Sequence, residues 1–193
     1  TSLIEMAMGD EPYVYLFVGK KSEGLLCRSF CAEIAGKLGV FVPDMVEFEQ
    51  VFRFLMQIEK PYTLVIDEFQ NFQNINSSIF SDIQNYWDQY RKQRHINLIV
   101  SGSVYSMMHH IFKDESEPLY GRADHTIHLC PFATTVLKQI LADYNPTCTP
   151  DDLLALYTFT AGIPRYVELL MDRQAVSLDK MIDAITERDS PFL

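Results

Sequence analysis

Apolar and polar positions along the chain follow two different periods. Residues 13–18 (Tyr-Val-Tyr-Leu-Phe-Val) form a continuous apolar, β-rich run, and 62–66 and 96–100 repeat the pattern. Pro12 and Pro61 stand just before two of these runs. Short apolar runs bounded this way read as strands buried on both faces. Residues 126–129, stopped by Pro131, read as a fourth strand. Between the runs the period lengthens to that of a helix. Residues 1–8 place Leu3, Ile4 and Ala7 on one face, and residues 22–38 end at Gly39. Residues 44–58 put Phe48, Val51, Phe52 and Leu55 at helical spacing, with Asp44 and Glu47 in the first turn. Ser77 and Ser78 are candidate caps for a helix reaching Gln93, whose apolar face is Ile79, Ile83, Trp87 and Tyr90. Residues 103–111 predict a short helix and 113–124 a polar loop.

Beyond Pro131 the strand pattern ceases. Residues 134–141, 150–160, 164–171 and 177–187 all carry helical periods. The second opens on Thr149 as cap, Pro150 in the first turn, and Asp151 and Asp152 against the helix dipole. The pattern therefore predicts an α/β core over residues 1–131 and a small helical subdomain over 132–193. Buried strands alternating with helices imply a mostly parallel sheet covered on both faces. In such sheets the chemistry sits at the carboxyl ends of the strands. There is no internal repeat and no low-complexity tract.

Composition narrows the picture. At 193 residues and 48% hydrophobic, the chain suits one compact core with a small appendage. It has no run of eighteen apolar residues and no secretory pattern, so a cytoplasmic setting without a membrane span is expected. It has no initiating Met and opens straight into a helical pattern, which reads as a segment of something longer. Sixteen Lys and Arg against 26 Asp and Glu leave a net charge of −10. That balance argues against direct nucleic-acid binding by this segment, because phosphate neutralisation needs clustered cations. Cys27, Cys31, Cys130 and Cys148 lack metal-ligand spacing and read as buried reduced thiols. His125 and His128 flank the expected fourth strand on opposite faces, which does not suit a shared metal.

The strongest chemical signal is Thr63-Leu64-Val65-Ile66-Asp67-Glu68-Phe69. An apolar strand runs into two adjacent carboxylates. Asp67, at the strand tip, can hold Mg²⁺, usually through water. Glu68 points elsewhere, as the next residue must, and can orient or deprotonate an attacking water. This is a Walker B pattern, although such a pair also suits a plain turn cap. Its usual companion, G-x-x-x-x-G-K-[ST], is absent. Phe17-Val18-Gly19-Lys20-Lys21-Ser22 imitates it, but Val14 stands where the first Gly belongs and Lys21 where Ser or Thr belongs. Thr1-Ser2-Leu3-Ile4 matches the residues next after Gly-Lys in a phosphate-loop helix, with Thr1 as the Mg²⁺-binding hydroxyl. Ser101, at the end of the third strand, can reach water or a γ-phosphate, or belong to a bare Ser-Gly-Ser turn. Arg122 sits in a polar loop as either a phosphate contact or a solvated surface residue. In Ala161-Gly162-Ile163-Pro164-Arg165-Tyr166, Gly162 ends one helix and Pro164 starts the next.

Together TSLI at 1–4, TLVIDEFQNF at 63–72, NLIVSGS at 97–103, PLYGR at 118–122 and AGIPRY at 161–166 resemble the archaeal-type ATPase family. That family lies in the STAND-like part of the AAA-like P-loop ATPases. The resemblance implies a P-loop NTPase-like parallel sheet, ordered 5-1-4-3-2, with a helical lid. It implies ATP and Mg²⁺ as ligands, Asp67 and Glu68 as Walker B, and Ser101 as a sensor. It also implies Thr1 and Ser2 at the phosphates, Gly162 and Pro164 as the lid turn on the nucleotide, and Arg122 or Arg165 as arginine contacts. Strand one and the phosphate loop would precede residue 1, so weak ATP binding by this chain alone is expected. Downstream domains of the same chain, and self-association, are the expected partners. The competing expectation is an interaction scaffold that keeps the fold without turning over nucleotide.

Overall fold

In the computed structural model, residues 2–9, 11–93, 96–188, 190 and 192 are described. Contacts divide the chain into two compact units, residues 1–126 and 127–193. The first is built on a three-stranded parallel sheet in the order β1-β2-β3. These strands are β1, Tyr13–Phe17, β2, Tyr62–Asp67, and β3, Ile96–Val100. Every residue of the central strand β2 is buried, which is why its sequence shows no polar alternation before Asp67. Phe17 lies opposite Asp67 and Val100 opposite Ile66, so all three strands finish at one edge.

Helices α1 (Ser2–Met8), α2 (Glu23–Leu38), α3 (Phe48–Gln57), α4 (Phe72–Ile75), α5 (Ile79–Tyr90) and α6 (Tyr105–Lys113) complete this unit. Its core is aromatic: Phe48, Phe52, Phe69, Phe72 and Phe80 are all fully buried. Phe48 and Phe72 bring their ring centroids to 4.5 Å. Aromatic pairs add a directional gain to the area they bury. The glutamate opening α2 ties three segments together. Glu23 Oε1 accepts the Phe48 N–H at 2.8 Å, and Oε2 accepts from Asn76 Nδ2 at 2.9 Å. This explains why α3 starts at Phe48 and not at residue 44. The first orphan N–H of the helix finds its acceptor on another helix, and Glu47 makes no capping bond. Burial, followed by the nearby Glu23 charge, pushes the Cys27 thiol up to about 12, so Cys27 stays a neutral core side chain.

Three expectations need correction. Residues 126–129 form no strand, and Ile127 and Leu129 are 80% and 70% exposed. Alternation gives a segment strand propensity, but stability comes from cross-strand partners, and among the described residues the sheet ladder holds only β1, β2 and β3. Cys130 beside it is accordingly exposed, not buried. His125 and His128 likewise lie on no strand and so have no opposite strand faces. Elsewhere the differences are at element ends: the helix expected to reach Gln93 stops at Tyr90, and a 3-10 turn, Phe69–Asn71, precedes α4.

The second unit is a helical cluster of α7 (Thr134–Tyr144), α8 (Pro150–Thr160), α9 (Pro164–Asp172) and α10 (Leu178–Thr186). It has its own apolar core, including Leu137, Leu141, Leu156, Val167, Leu170 and Met181. Thr149 and Asp152 form a reciprocal capping box at the start of α8. Asp152 also accepts the Leu178 N–H at 2.7 Å, fixing the start of α10. Donation from the Thr149 backbone, then from that of Leu178, lowers the Asp152 pKa below the ordinary 3.8. Its contribution is thus full above the unfolded value and fades as pH falls through the lower folded one. Asp152→Ala removes three hydrogen bonds at a buried position. The expected loss is about 2–3 kcal/mol of stability, read as a lower thermal midpoint for this unit at neutral pH. An unchanged midpoint contradicts it.

No described helix in either unit is long and apolar enough to cross a membrane.

Candidate functional site

The carboxyl edge of the sheet gathers the chemistry of the first unit. Strand β2 delivers Asp67 there, and the residue is only 6% exposed. Three donors fix its carboxylate. The Tyr15 hydroxyl donates to Oδ2, the Ser101 hydroxyl donates to Oδ1, and the Glu68 N–H reaches Oδ1 at 3.0 Å. All three are neutral, so none of them cancels the carboxylate charge. Tyr15 comes from β1 and Ser101 from just beyond β3, so each neighbouring strand holds one oxygen.

The chain then turns sharply. Glu68 has φ 55 and ψ 37, a left-handed conformation outside glycine's usual territory. Such a conformation costs about 1–2 kcal/mol, and the surroundings enforce it. The Phe69 N–H donates to the Ser101 carbonyl at 3.0 Å, and Phe69 is fully buried. Asn71 Nδ2 donates to the Val18 carbonyl at 2.7 Å. The Glu68 side chain is thereby turned toward the loop after β3. There Ser103 Oγ donates to Glu68 Oε2 at 2.9 Å and Gln70 Nε2 to the same oxygen at 2.6 Å.

The structure thus brings Asp67, Glu68 and Ser101 together at one edge. Ser101, expected to meet water or phosphate, gives its hydroxyl to Asp67. Arg122 binds Asp88 on α5 through Nε and Nη2, the shortest contact being 2.7 Å. Its Nη1 donates to the carbonyls of Pro118 and Tyr120. An open cleft of about 350 Å³ lies here, lined by Asp88, Arg91, Lys92, Tyr120, Gly121 and Arg122. Thr1 lies outside the described residues, and Ser2 is the first residue of α1. Gly162, Pro164 and Arg165 belong to the second unit. Gly162 is buried with φ +74 and accepts the Phe132 N–H at 2.7 Å. Pro164 opens α9, and Arg165, largely exposed, pairs with Glu168 at 2.8 Å.

Sequence reasoning gave no role to Tyr15, Gln70 or Ser103. For Tyr15 a signal existed: a hydroxyl-bearing residue in the middle of a strand that parallel pairing sets beside β2. For Gln70 and Ser103 there was none, because only the left-handed turn at Glu68 brings them to it.

A carboxylate and a hydroxyl at a strand tip are hard oxygen donors, which suit Mg²⁺ better than a softer metal. Among the described residues no three His, Cys, Asp or Glu side chains form a metal cage. Mg²⁺ bound by one or two protein oxygens and by phosphates needs no such cage.

Comparison with known proteins defines the class. The Walker-type ATPase PABY2304 of Pyrococcus abyssi shares the fold, with a TM-score of 0.70 at 16% identity over 94% of this chain and 61% of that one. A parallel sheet flanked by helices, with this neighbour, is the fold of a P-loop ATPase domain. A family described as an ATPase domain predominantly from Archaea matches residues 32–170, most of the chain; the chain belongs to that family. An uncharacterized protein of Methanocaldococcus jannaschii, MJECL04, is 32% identical over 122 residues, 63% of this chain. The matched region is 26% of that relative's length.

Proposed function

We propose that this domain binds ATP with Mg²⁺ and hydrolyses it as an AAA-like, STAND-type switch. The observation that carries the reading is the pair Asp67 and Glu68 at the carboxyl end of the central strand, with Ser101 from the adjacent strand end fixing the first of them. Asp67 is the Walker B carboxylate and would hold Mg²⁺, usually through water, and Thr1 would supply the expected hydroxyl. When bound, the ion would screen the triphosphate charge. Glu68 accepts the proton of the attacking water. As that water's oxygen bonds to the γ-phosphorus, the bond from phosphorus to the β–γ bridging oxygen breaks and ADP leaves. Ser101 keeps the Asp67 carboxylate oriented through this step.

Residues 132–193 would act as the lid, and the turn at Gly162 and Pro164 would be its nucleotide-contacting part. Arg122 and Arg165 each hold a carboxylate and must exchange it for phosphate to serve as the arginine contact. The exposed Arg165–Glu168 pair is worth under about 1 kcal/mol, so Arg165 makes that exchange more cheaply than the bidentate Arg122. Nucleotide state would pass through the lid to further domains of the same protein, or to a second copy of it.

The test is metal-dependent binding by the full-length protein. Mg²⁺ is expected to tighten ATP binding in the wild type. In Asp67→Asn, which keeps the shape but loses the charge, that gain should shrink by about tenfold or more. Equal Mg²⁺ dependence in the two proteins, read by titration with and without EDTA, removes Asp67 from the metal site.

A further inference from the structure

Gln70 is 2% exposed, and its two amide atoms meet opposite fates. Nε2 donates to Glu68 Oε2 at 2.6 Å and lies 3.4 Å from Ser103 Oγ. Oε1 is buried and, among the described residues, has no hydrogen-bond partner. Turning the amide over would set an oxygen against the Glu68 carboxylate, so the network dictates this orientation. A buried carbonyl without a donor is destabilising, and folded proteins seldom keep one without cause. The space for it is also prepared. A Cβ on Gly102 would lie 2.3 Å from Gln70 Oε1 and 2.5 Å from Met108 Sδ. With a larger residue at 102, the Gln70 amide and the Met108 side chain would have to leave their present places.

We propose that Gln70 and Ser103 are positioning residues that clamp one oxygen of Glu68, leaving the other aimed for proton transfer, and that Gly102 makes room for the clamp. This rests on the reading of Glu68 as the base of ATP hydrolysis. Two donors on one oxygen remove the rotamer freedom of a glutamate side chain. A left-handed backbone alone sets its direction but not its tip. The clamp keeps an unsatisfied carbonyl as a standing loss of stability in exchange for that fixed tip.

The test uses the full-length protein and near-isosteric Gln70→Met, which removes the donor and the orphaned carbonyl together. The single-turnover rate with saturating Mg²⁺-ATP should fall roughly tenfold, with KM within about twofold. The thermal midpoint should hold or rise, which loss of a purely structural residue would not produce. Ser103→Ala should slow turnover and Ser103→Thr, which keeps the hydroxyl, should restore it. In a Glu68→Gln background, Gln70→Met should add no further loss, since it acts through Glu68. Turnover kept by Gln70→Met but lost in Glu68→Gln overturns the clamp alone, as does an undiminished Gln70→Met loss in the Glu68→Gln background. Turnover kept by Glu68→Gln overturns the base and the clamp with it.

Discussion

Replacing Glu68 by Gln in the full-length protein is expected to slow ATP hydrolysis about 10²–10³-fold while leaving ATP affinity nearly unchanged. The substitution is isosteric. It keeps an oxygen for Gln70 Nε2 and Ser103 Oγ, now 2.6 and 2.9 Å from Oε2, and removes only the charge and the ability to take a proton. The left-handed backbone at Glu68 is held by the Phe69 N–H on the Ser101 carbonyl and by burial of Phe69, neither of which involves the side chain. The fold should therefore be indifferent to the change. Asp67, fixed by Tyr15 and Ser101, should continue to support Mg²⁺-nucleotide binding. The expected signature is a protein that retains ATP unhydrolysed, measured as the ATP to ADP ratio bound after a single turnover. Binding without hydrolysis in the wild type as well would favour the scaffold over the enzyme. Wild-type turnover in Glu68→Gln would strike out the proposed base.

How legible each part was depends on whether its causes are local. The strand 62–66 followed by two acids could be read directly, because a strand buried on both faces is mostly apolar and the two acids mark its carboxyl end. The cap of α8 could be read for the same reason, since Thr149 and Pro150 act within a single turn; Asp152, expected only to meet the helix dipole, also closes the box with Thr149. The start of α3 could not, since its first N–H is satisfied by Glu23, twenty-five residues away. The strand expected at 126–129 failed on the same ground. Its pattern was right, but a strand needs a neighbour and the pattern says nothing about one. At the site, the acids and Ser101 were visible as residues, whereas their arrangement was not. That the Ser101 hydroxyl lies on Asp67, and that Gln70 reaches back to Glu68, are consequences of the parallel register and one left-handed residue. Neither leaves a trace in spacing.

Gly162→Ala should damage the second unit more than any other single methyl addition to its turns. Gly162 has φ +74, and an added Cβ would stand 2.4 Å from the Phe132 carbonyl oxygen and 3.2 Å from the Phe132 nitrogen. These are backbone atoms, so no side-chain rotation relieves the overlap. The same two residues are joined by the Phe132 N–H donating to the Gly162 carbonyl at 2.7 Å, so moving apart sacrifices that bond. Left-handed strain adds about 1–2 kcal/mol, and the lost hydrogen bond about 1 kcal/mol. The sum, about 3 kcal/mol, is a drop of about 10 °C or more in the thermal midpoint of a unit this small. Ala161 is the control, because it already sits at φ 49. Ala161→Gly relieves the strain but loosens the unfolded chain, so its midpoint should barely move. If Gly162→Ala is as mild as Ala161→Gly, the wall at Phe132 is not what selects glycine. If it is severe, the turn proposed to meet the nucleotide is rigid by construction, and its backbone geometry is set before any ligand arrives.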